Sequence, residues 1–268
     1  MLKRYFHHVL RQNGFEDVDN VYWSLGYCQG DGCSFTATLT ADEITKLVPY
    51  LYPADVTKAT HRVENLMRRR CVTEYVKEAD FSVKIIQSGN YVHENSMSVD
   101  WEIDVDAPWD HGDDCNELSD TILGHARDVA KKLETAGYGL LEAFSRENNE
   151  VWRFKTAKYL FRLSEIEEEP DFTLLSDWDE ECFIATCQDM IKGESRITGL
   201  KAEVFSLSDV EDEDQLHEYE PFADINFASV SYAPGDRSYG GSRRELICEL
   251  IHEVRSWEAE TETLPQAA

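Results

Sequence analysis

Apolar and polar positions alternate with a period of two in some stretches of the chain and with a period near 3.6 in others. Phe81, Val83 and Ile85 alternate with polar residues, which predicts a half-buried strand. The same alternation continues from Met97 to Asp106 and predicts a second one. Further extended segments are predicted at 21–27, 33–39, 158–163, 182–187, 200–207 and 222–233.

Helical periodicity predicts six helices, at 2–13, 41–51, 57–70, from about 117, at 148–157 and at 243–258. Thr40 and Glu43 are placed to form a capping box for the second of these helices, as Ser242 and Glu245 are for the last. Gly137 and Gly139 interrupt the long apolar stripe that starts near 117. We therefore expect a kink or a break in that helix.

These elements predict an α+β fold with a small antiparallel sheet and packed helices, followed by a smaller acidic α+β domain. The stretch SEIEEEPDFTLLSDWDEE is acidic and contains a proline, so it is the best candidate for a domain boundary. The predicted organisation is an N-terminal domain at 1–164, an acidic linker at 165–181, a C-terminal domain at 182–260 and a tail at 261–268.

Charge limits the kinds of partner that the chain can bind. The 268 residues contain 26 Lys and Arg against 53 Asp and Glu, a formal net charge of −27. Residues 1–150 carry 15 basic and 26 acidic side chains, and residues 151–268 carry 11 and 27. Such a chain repels nucleic acid and anionic lipid, so direct binding to either is not expected. A protein with a basic surface is the expected partner.

Cysteine usage and hydropathy indicate a cytoplasmic protein. The seven cysteines include no CxxC pair, and no apolar run approaches the roughly 18 residues of a membrane span. The polar start MLKRYFHHVL does not resemble a signal peptide. No Walker loop, dinucleotide fingerprint or HExxH motif occurs, so no cofactor is expected.

The segment QGDG at 29–32 is the most motif-like stretch of the chain. Gly30 and Gly32 can supply positive φ where two strands reverse, and Asp31 suits a turn, which predicts a structural hairpin. In a simple register Cys28 would face Cys33 across this hairpin. A phosphate loop would need a following helix and usually a lysine, and a zinc site would need further ligands nearby.

Two other constellations contain residues capable of catalysis. His93 and Glu94 precede a strand, where a histidine can act as a base or ligand, although packing on the QGDG hairpin is the simpler interpretation. Residues 106–115, DAPWDHGDDC, gather possible cation ligands without matching the EF-hand pattern, and a solvated acidic loop is the favoured interpretation. Together they constitute the alternative hypothesis, a metal-assisted hydrolase.

Three segments carry a resemblance to known proteins. The hairpin QGDGCSF, the segment YVHENSM and the helix ending LETAGYGLLEAFSREN are similar to a group of small bacteriophage-borne proteins of unknown function. The resemblance covers about residues 15–160. It implies a phage or mobile-element origin and a role in acting on host machinery, and it brings no established activity.

Two acidic segments are the predicted partner-binding surface. One is the alternating strand with Asp100, Glu102, Asp104 and Asp106, and the other is the loop with Glu211, Asp212, Glu213 and Asp214. The expected function is inhibition of a host defence or nucleic-acid-processing protein, with DNA mimicry as its extreme form. Carboxylates on one strand face repeat every ~6.6 Å, whereas duplex DNA carries one charge per ~1.7 Å, so the strand alone is too sparse for mimicry.

Overall fold

A computed structural model of the chain describes residues 1–71, 81–89, 91–103, 112–169, 175 and 177–263. The fold is α+β, as predicted, and it contains two four-stranded antiparallel sheets. The contacts divide the chain into two compact units, Leu2–Tyr138 and Gly139–Ala268, which we call the N-terminal and the C-terminal unit. No helix within the described ranges is both long and apolar enough to cross a membrane.

The N-terminal unit contains four strands and the starts of four helices. Its strands are β1 (Asn20–Ser24), β2 (Gly32–Thr40), β3 (Phe81–Gln87) and β4 (Met97–Ile103), in the order β1-β2-β3-β4. Its helices are α1 (Leu2–Gln12), α2 (Ala41–Leu51), α3 (Val56–Cys71) and α4 (Gly112–Glu142), the last of which continues into the C-terminal unit. Each helix begins within a few residues of the predicted position except α4, which begins earlier.

The core of the N-terminal unit forms against one face of this sheet. Phe35, Ala37 and Leu39 alternate along β2 and are buried, as are Val83 and Ile85 on β3. Phe35 packs edge-on against Phe15, with ring centroids 4.8 Å apart. The period-two pattern therefore identified the buried face correctly.

Helix α2 starts as the sequence predicts. The Thr40 side chain accepts a hydrogen bond from the Glu43 amide, and a Glu43 carboxylate oxygen accepts one from the Thr40 amide at 2.7 Å. This capping box satisfies amides that the first helical turn leaves without partners. The chain consequently passes from β2 to α2 without a loop.

Helix α4 does not break at Gly137. A Cβ atom at Gly137 would lie 2.6 Å from Leu25 Cδ1 and 3.1 Å from Phe6 Cζ. The helix runs without a break from Gly112 to Glu142, so the predicted break is wrong, and Gly137 permits close packing.

The C-terminal unit is built on the sheet β5-β6-β7-β8. Its strands are β5 (Asn149–Lys155), β6 (Tyr159–Ile166), β7 (Arg196–Ser206) and β8 (Ala223–Tyr232), and its remaining helices are α5 (Glu180–Lys192) and α6 (Ser242–Thr263). Leu246, Leu250 and Val254 of α6 pack against Leu200 and Val204 of β7 in one buried cluster. The last predicted helix is therefore confirmed, and it forms one layer of this unit.

Two predicted elements of the C-terminal unit are wrong. Residues 148–157 were expected to be helical, but β5 occupies most of them and places Trp152 and Phe154 against the buried cluster. Residues 182–187 were expected to be extended, but they lie within α5. Asp179 caps this helix by accepting from the Cys182 amide at 2.9 Å, and Gly193 ends it in the left-handed conformation.

The division into units differs from the predicted boundary after residue 164. Strands β5 and β6 pair with β7 and β8 in one sheet, so the chain between 149 and 166 belongs to the C-terminal unit. The described residues of the predicted linker at 165–181 include the end of β6 and the start of α5. The acidic composition of this stretch marks a connection within the C-terminal unit rather than between units.

Candidate protein-binding surface

The loop that contains QGDG is longer than the sequence predicts. Trp23 lies opposite Cys33, and Val21 lies opposite Phe35, so the predicted pairing of Cys28 with Cys33 is wrong. The last pair is Ser24 with Gly32, which leaves residues 25–31 as a seven-residue connection. We call this connection the hairpin loop.

Asp31 holds the hairpin loop together. Its Oδ1 atom accepts from Ser24 Oγ at 2.5 Å, and its Oδ2 atom accepts from the Gly26 amide at 2.7 Å and the Cys28 amide at 2.6 Å. The hydrogen bond from the Cys28 amide, followed by that from Ser24, lowers the pKa of the Asp31 carboxyl. The carboxylate stays charged at neutral pH and fixes the loop from inside.

The hairpin loop packs on the segment that leads into β4. A Cβ atom at Gly32 would lie 2.9 Å from the Val92 carbonyl oxygen and 3.0 Å from His93 Cα, and one at Gly30 would meet the Tyr91 ring. Both glycines also have positive φ, of 91° at Gly30 and 155° at Gly32. The structural-turn interpretation of Gly30, Asp31 and Gly32, and the packing of His93 on this hairpin, agree with these contacts.

His93 caps the 3-10 turn Glu94–Ser96. Its Nδ1 atom accepts from the Asn95 amide at 3.0 Å, and its carbonyl oxygen accepts from Ser96 Oγ at 2.6 Å. Glu94 Oε1 accepts from Asn95 Nδ2 at 3.1 Å. One nitrogen of the imidazole ring is therefore occupied in holding the turn.

Three residues of α4 add further charged and aromatic side chains next to the hairpin loop. Lys131, Glu134 and Tyr138 are spaced by three and four residues, which places them on one helix face. Lys131 Nζ lies 2.9 Å from Glu134 Oε2, and this hydrogen bond is the main cause that raises the lysine pKa, with Glu94 also contributing. Burial and then the Asp31 carboxylate raise the pKa of Tyr138.

Cys33 lies beneath this group and is fully buried. Burial, followed by the Glu134 carboxylate, raises the pKa of its thiol to about 12. A thiol of this kind is protonated at neutral pH and does not act as a nucleophile.

Two tyrosines project into solvent on this side of the N-terminal unit. Tyr27 is 55% exposed and Tyr91 is 62% exposed. Tyr27 has a φ of 58°, which is unusual for a residue other than glycine, and its ring centroid lies 4.6 Å from that of Tyr138. We define the hairpin-loop surface as Tyr27, Tyr91, Glu94, Glu134 and Tyr138.

The structure describes only half of the predicted acidic strand surface. Asp100 lies opposite Lys84 on β3, so a cation stands beside it in the sheet, and Glu102 lies opposite Ser82. The side chain of Glu102, and Asp104 and Asp106 entirely, lie outside the described residues.

The predicted acidic loop is tied to its own sheet. Glu213 forms an ion pair with Lys155, and its carbonyl oxygen accepts from Arg153 Nη1 at 2.9 Å. The amides of Glu211 and Asp212 donate to Tyr219 Oη at 3.2 and 3.1 Å, and the Asp214 side chain lies outside the described residues. Glu213 is therefore a structural contact as well as a surface charge.

The cluster at 106–115 has no described side chains. In the part of the chain that is described, no group of three or more His, Cys, Asp and Glu residues is placed to hold a metal ion. The predicted acidic strand and acidic loop belong to different units of the chain.

Sequence reasoning missed Tyr27, Lys131, Glu134 and Tyr138. The spacing of the last three along a predicted helix was a usable signal, because residues three and four apart share a helix face. Nothing in the sequence indicates that Tyr27 adopts a left-handed conformation next to Tyr138.

The fold and this surface define a two-unit α+β protein whose N-terminal unit presents aromatic and acidic side chains from the hairpin loop, the segment before β4 and helix α4. The chain belongs to a family described as a domain of unknown function, DUF8835, whose sequence model matches residues 3–149. This range includes the whole hairpin-loop surface. Searches of curated proteins and of solved structures returned no match.

Proposed function

We propose that the protein binds a partner protein that has a basic surface, and that the hairpin-loop surface is part of the contact. In keeping with the resemblance to phage-borne proteins, the proposed partner is a host defence or nucleic-acid-processing protein in the host cytoplasm, which binding inhibits. One observation carries the proposal. The polar groups of the hairpin loop hydrogen-bond to one another and hold the loop in shape, while the rings of Tyr27 and Tyr91 face solvent.

Rigidity favours recognition because less conformational entropy is lost when the partner binds. Asp31 accepts three hydrogen bonds from the loop and its base, and Gly32 packs against backbone atoms of the Val92–His93 segment. Tyrosine is enriched at protein interfaces because its ring supplies contact area and its hydroxyl supplies a polar handle.

Charge supports a basic partner. The net charge of −27 is spread over both halves of the chain, and Glu94 and Glu134 lie in the tyrosine-bearing surface. Complementary charge raises the association rate and discriminates against acidic proteins. The pairing of Glu213 with Lys155, and the position of Lys84 opposite Asp100, interrupt the anionic rows and favour a discrete contact over an imitation of DNA.

The metal-assisted hydrolase is the second hypothesis, and the described geometry gives it no specific support. His93 uses Nδ1 to hold Asn95, and the side chains of the 106–115 cluster lie outside the described residues.

Affinity capture with the full chain as bait tests the proposal. Retained proteins are identified by mass spectrometry, purified and titrated against the bait by calorimetry. We expect a stoichiometric partner with a basic surface and an affinity that weakens as salt is raised. Retention of an acidic partner whose affinity does not depend on salt, or turnover of the retained molecule by the bait, would contradict the proposal.

A further inference from the structure

Tyr27 adopts a backbone conformation that its burial does not explain. Its φ of 58° places it in the left-handed region, where glycine or asparagine has a lower cost. Such a conformation persists where the surrounding structure holds it, and burial of the ring is one way to hold it. The ring of Tyr27 is instead more than half exposed. Strained residues of this kind concentrate at ligand-binding sites.

The exposed ring lies beside a second ring and several carboxylates. Tyr138 lies next to Tyr27 with an interplanar angle of 35°, so the two rings form an open aromatic corner. Asp31 and Glu134 act electrostatically on the Tyr138 hydroxyl, and Glu94 acts on Lys131. Among these named groups, three carboxylates stand against one ammonium group, that of Lys131.

The side chain of Lys131 shows that the carboxylates beside the aromatic corner attract a cation. It is 59% exposed, yet its ammonium group bonds to Glu134, whose side chain is only 17% exposed. The lysine side chain is flexible and largely solvated. Its ammonium group can therefore leave Glu134 when a guanidinium group, which binds a carboxylate through two hydrogen bonds, arrives. Lys131 therefore does not prevent a cation of another molecule from binding at the corner.

We propose that the Tyr27–Tyr138 corner, with Glu94 and Glu134, receives an arginine side chain from the basic surface of the partner protein. This inference rests on the proposed function and names the group that the hairpin-loop surface recognises. A guanidinium group stacks on aromatic faces and forms planar hydrogen bonds to carboxylates at the same time, which an ammonium group does not do. The ring of Tyr91 lies in the same surface and adds contact area for the rest of the segment.

Binding of a labelled octa-arginine peptide to the full chain, followed by fluorescence anisotropy, tests the inference. We expect Tyr27→Ala to raise the dissociation constant about fivefold or more, because a cation–π contact is lost. Tyr27→Phe keeps the ring face and is expected to bind as wild type. Tyr50→Ala removes another exposed tyrosine, from α2, and serves as the matched control.

An octa-lysine peptide of the same charge distinguishes stacking from charge alone. The wild type is expected to prefer octa-arginine, and Tyr27→Ala is expected to lose that preference. Equal binding of octa-arginine by wild type and Tyr27→Ala would overturn the inference and leave the proposed function standing, since charge elsewhere would then attract the peptide. A wild type that binds neither peptide also overturns the inference, while the capture experiment decides the proposed function separately.

Stability measurements separate a binding role from a structural role of Tyr27. Tyr27→Asn suits the left-handed backbone, so relief of strain offsets the lost ring contact, and we expect a melting temperature close to that of wild type. The same variant is expected to lose the preference for octa-arginine. A large loss of thermal stability would instead assign the ring a structural role and contradict the inference.

Discussion

Asp31 is the residue on which the shape of the hairpin loop depends. Three donors, the Ser24 hydroxyl and the amides of Gly26 and Cys28, converge on its carboxylate. Asp31→Ala leaves all three without this acceptor and is expected to lower the melting temperature. Asp31→Asn is expected to be milder, because its carbonyl oxygen can accept from the two amides while its amide group donates to Ser24 Oγ.

The pKa of Asp31 makes this difference depend on pH. The folded-state pKa lies below the ordinary value of 3.8, so the stabilisation is fully present above pH 3.8 and is lost as pH falls through the folded-state value. The melting-temperature gap between wild type and Asp31→Asn should therefore be constant near neutral pH and close below pH 3.8. A gap that persists unchanged in acid would show that the charge of Asp31 contributes nothing.

Gly32 and Gly30 differ in what surrounds them. Alanine at position 32 would press on the Val92 carbonyl oxygen and His93 Cα, which are backbone atoms, whereas alanine at position 30 would press on the exposed Tyr91 ring. We expect Gly32→Ala to cost about 2–3 kcal/mol of unfolding free energy and Gly30→Ala about 1 kcal/mol, mainly from positive φ. Chemical denaturation of both variants checks the order, and a reversed order would contradict the close backbone approach.

The sequence predicted some residues of this surface correctly and missed others. The two glycines and the aspartate were recognised as a turn from their residue types. The register was wrong because Asp31 closes a seven-residue loop through side-chain hydrogen bonds, which rules for short hairpins do not contain. Tyr27 was missed because no residue type around it indicates a left-handed conformation.

At the scale of elements, periodicity predicted the N-terminal unit well and part of the C-terminal unit poorly. The stretch Cys182-Phe183-Ile184-Ala185-Thr186-Cys187 is rich in residues that favour strands, yet it is helical because Asp179 caps it and Phe183 and Cys187 bury one face. Strand β5 has its charged residues paired across space, with Arg153 held by Glu150 and by the Glu213 carbonyl oxygen. The contact with Glu213 is long-range and leaves no periodic signal in the sequence.

The acidic loop at 211–214 provides a test at this scale. Glu213→Lys breaks the ion pair with Lys155 and places two cations together, whereas Glu211→Lys makes the same charge change at a residue that contacts Tyr219 through its backbone amide. Both partners of the ion pair are about half exposed, so we expect a loss of about 0.5–1 kcal/mol for Glu213→Lys and less for Glu211→Lys. Thermal melts at low salt check this, and equal losses would mean that the Glu213 contact is not formed.

At the scale of the whole molecule, the sequence predicted the fold class and the presence of two compact parts, but it placed their boundary differently. Strands β5 and β6 were assigned to the first part because the acidic stretch after them looked like a linker. Sheet membership depends on pairing between distant segments, and a single sequence does not reveal that pairing. The family match over residues 3–149 includes the whole N-terminal unit except its first residue.

The net charge of −27 and the hairpin-loop surface together predict how binding responds to salt. Stopped-flow association of the captured partner with the full chain, measured from low to physiological ionic strength, tests the central claim most directly. The association rate should fall steeply with salt while the dissociation rate changes little, and Glu94→Gln with Glu134→Gln should reduce the salt dependence. An association rate that is independent of salt and unchanged in the double variant would contradict an acidic recognition surface at the hairpin loop.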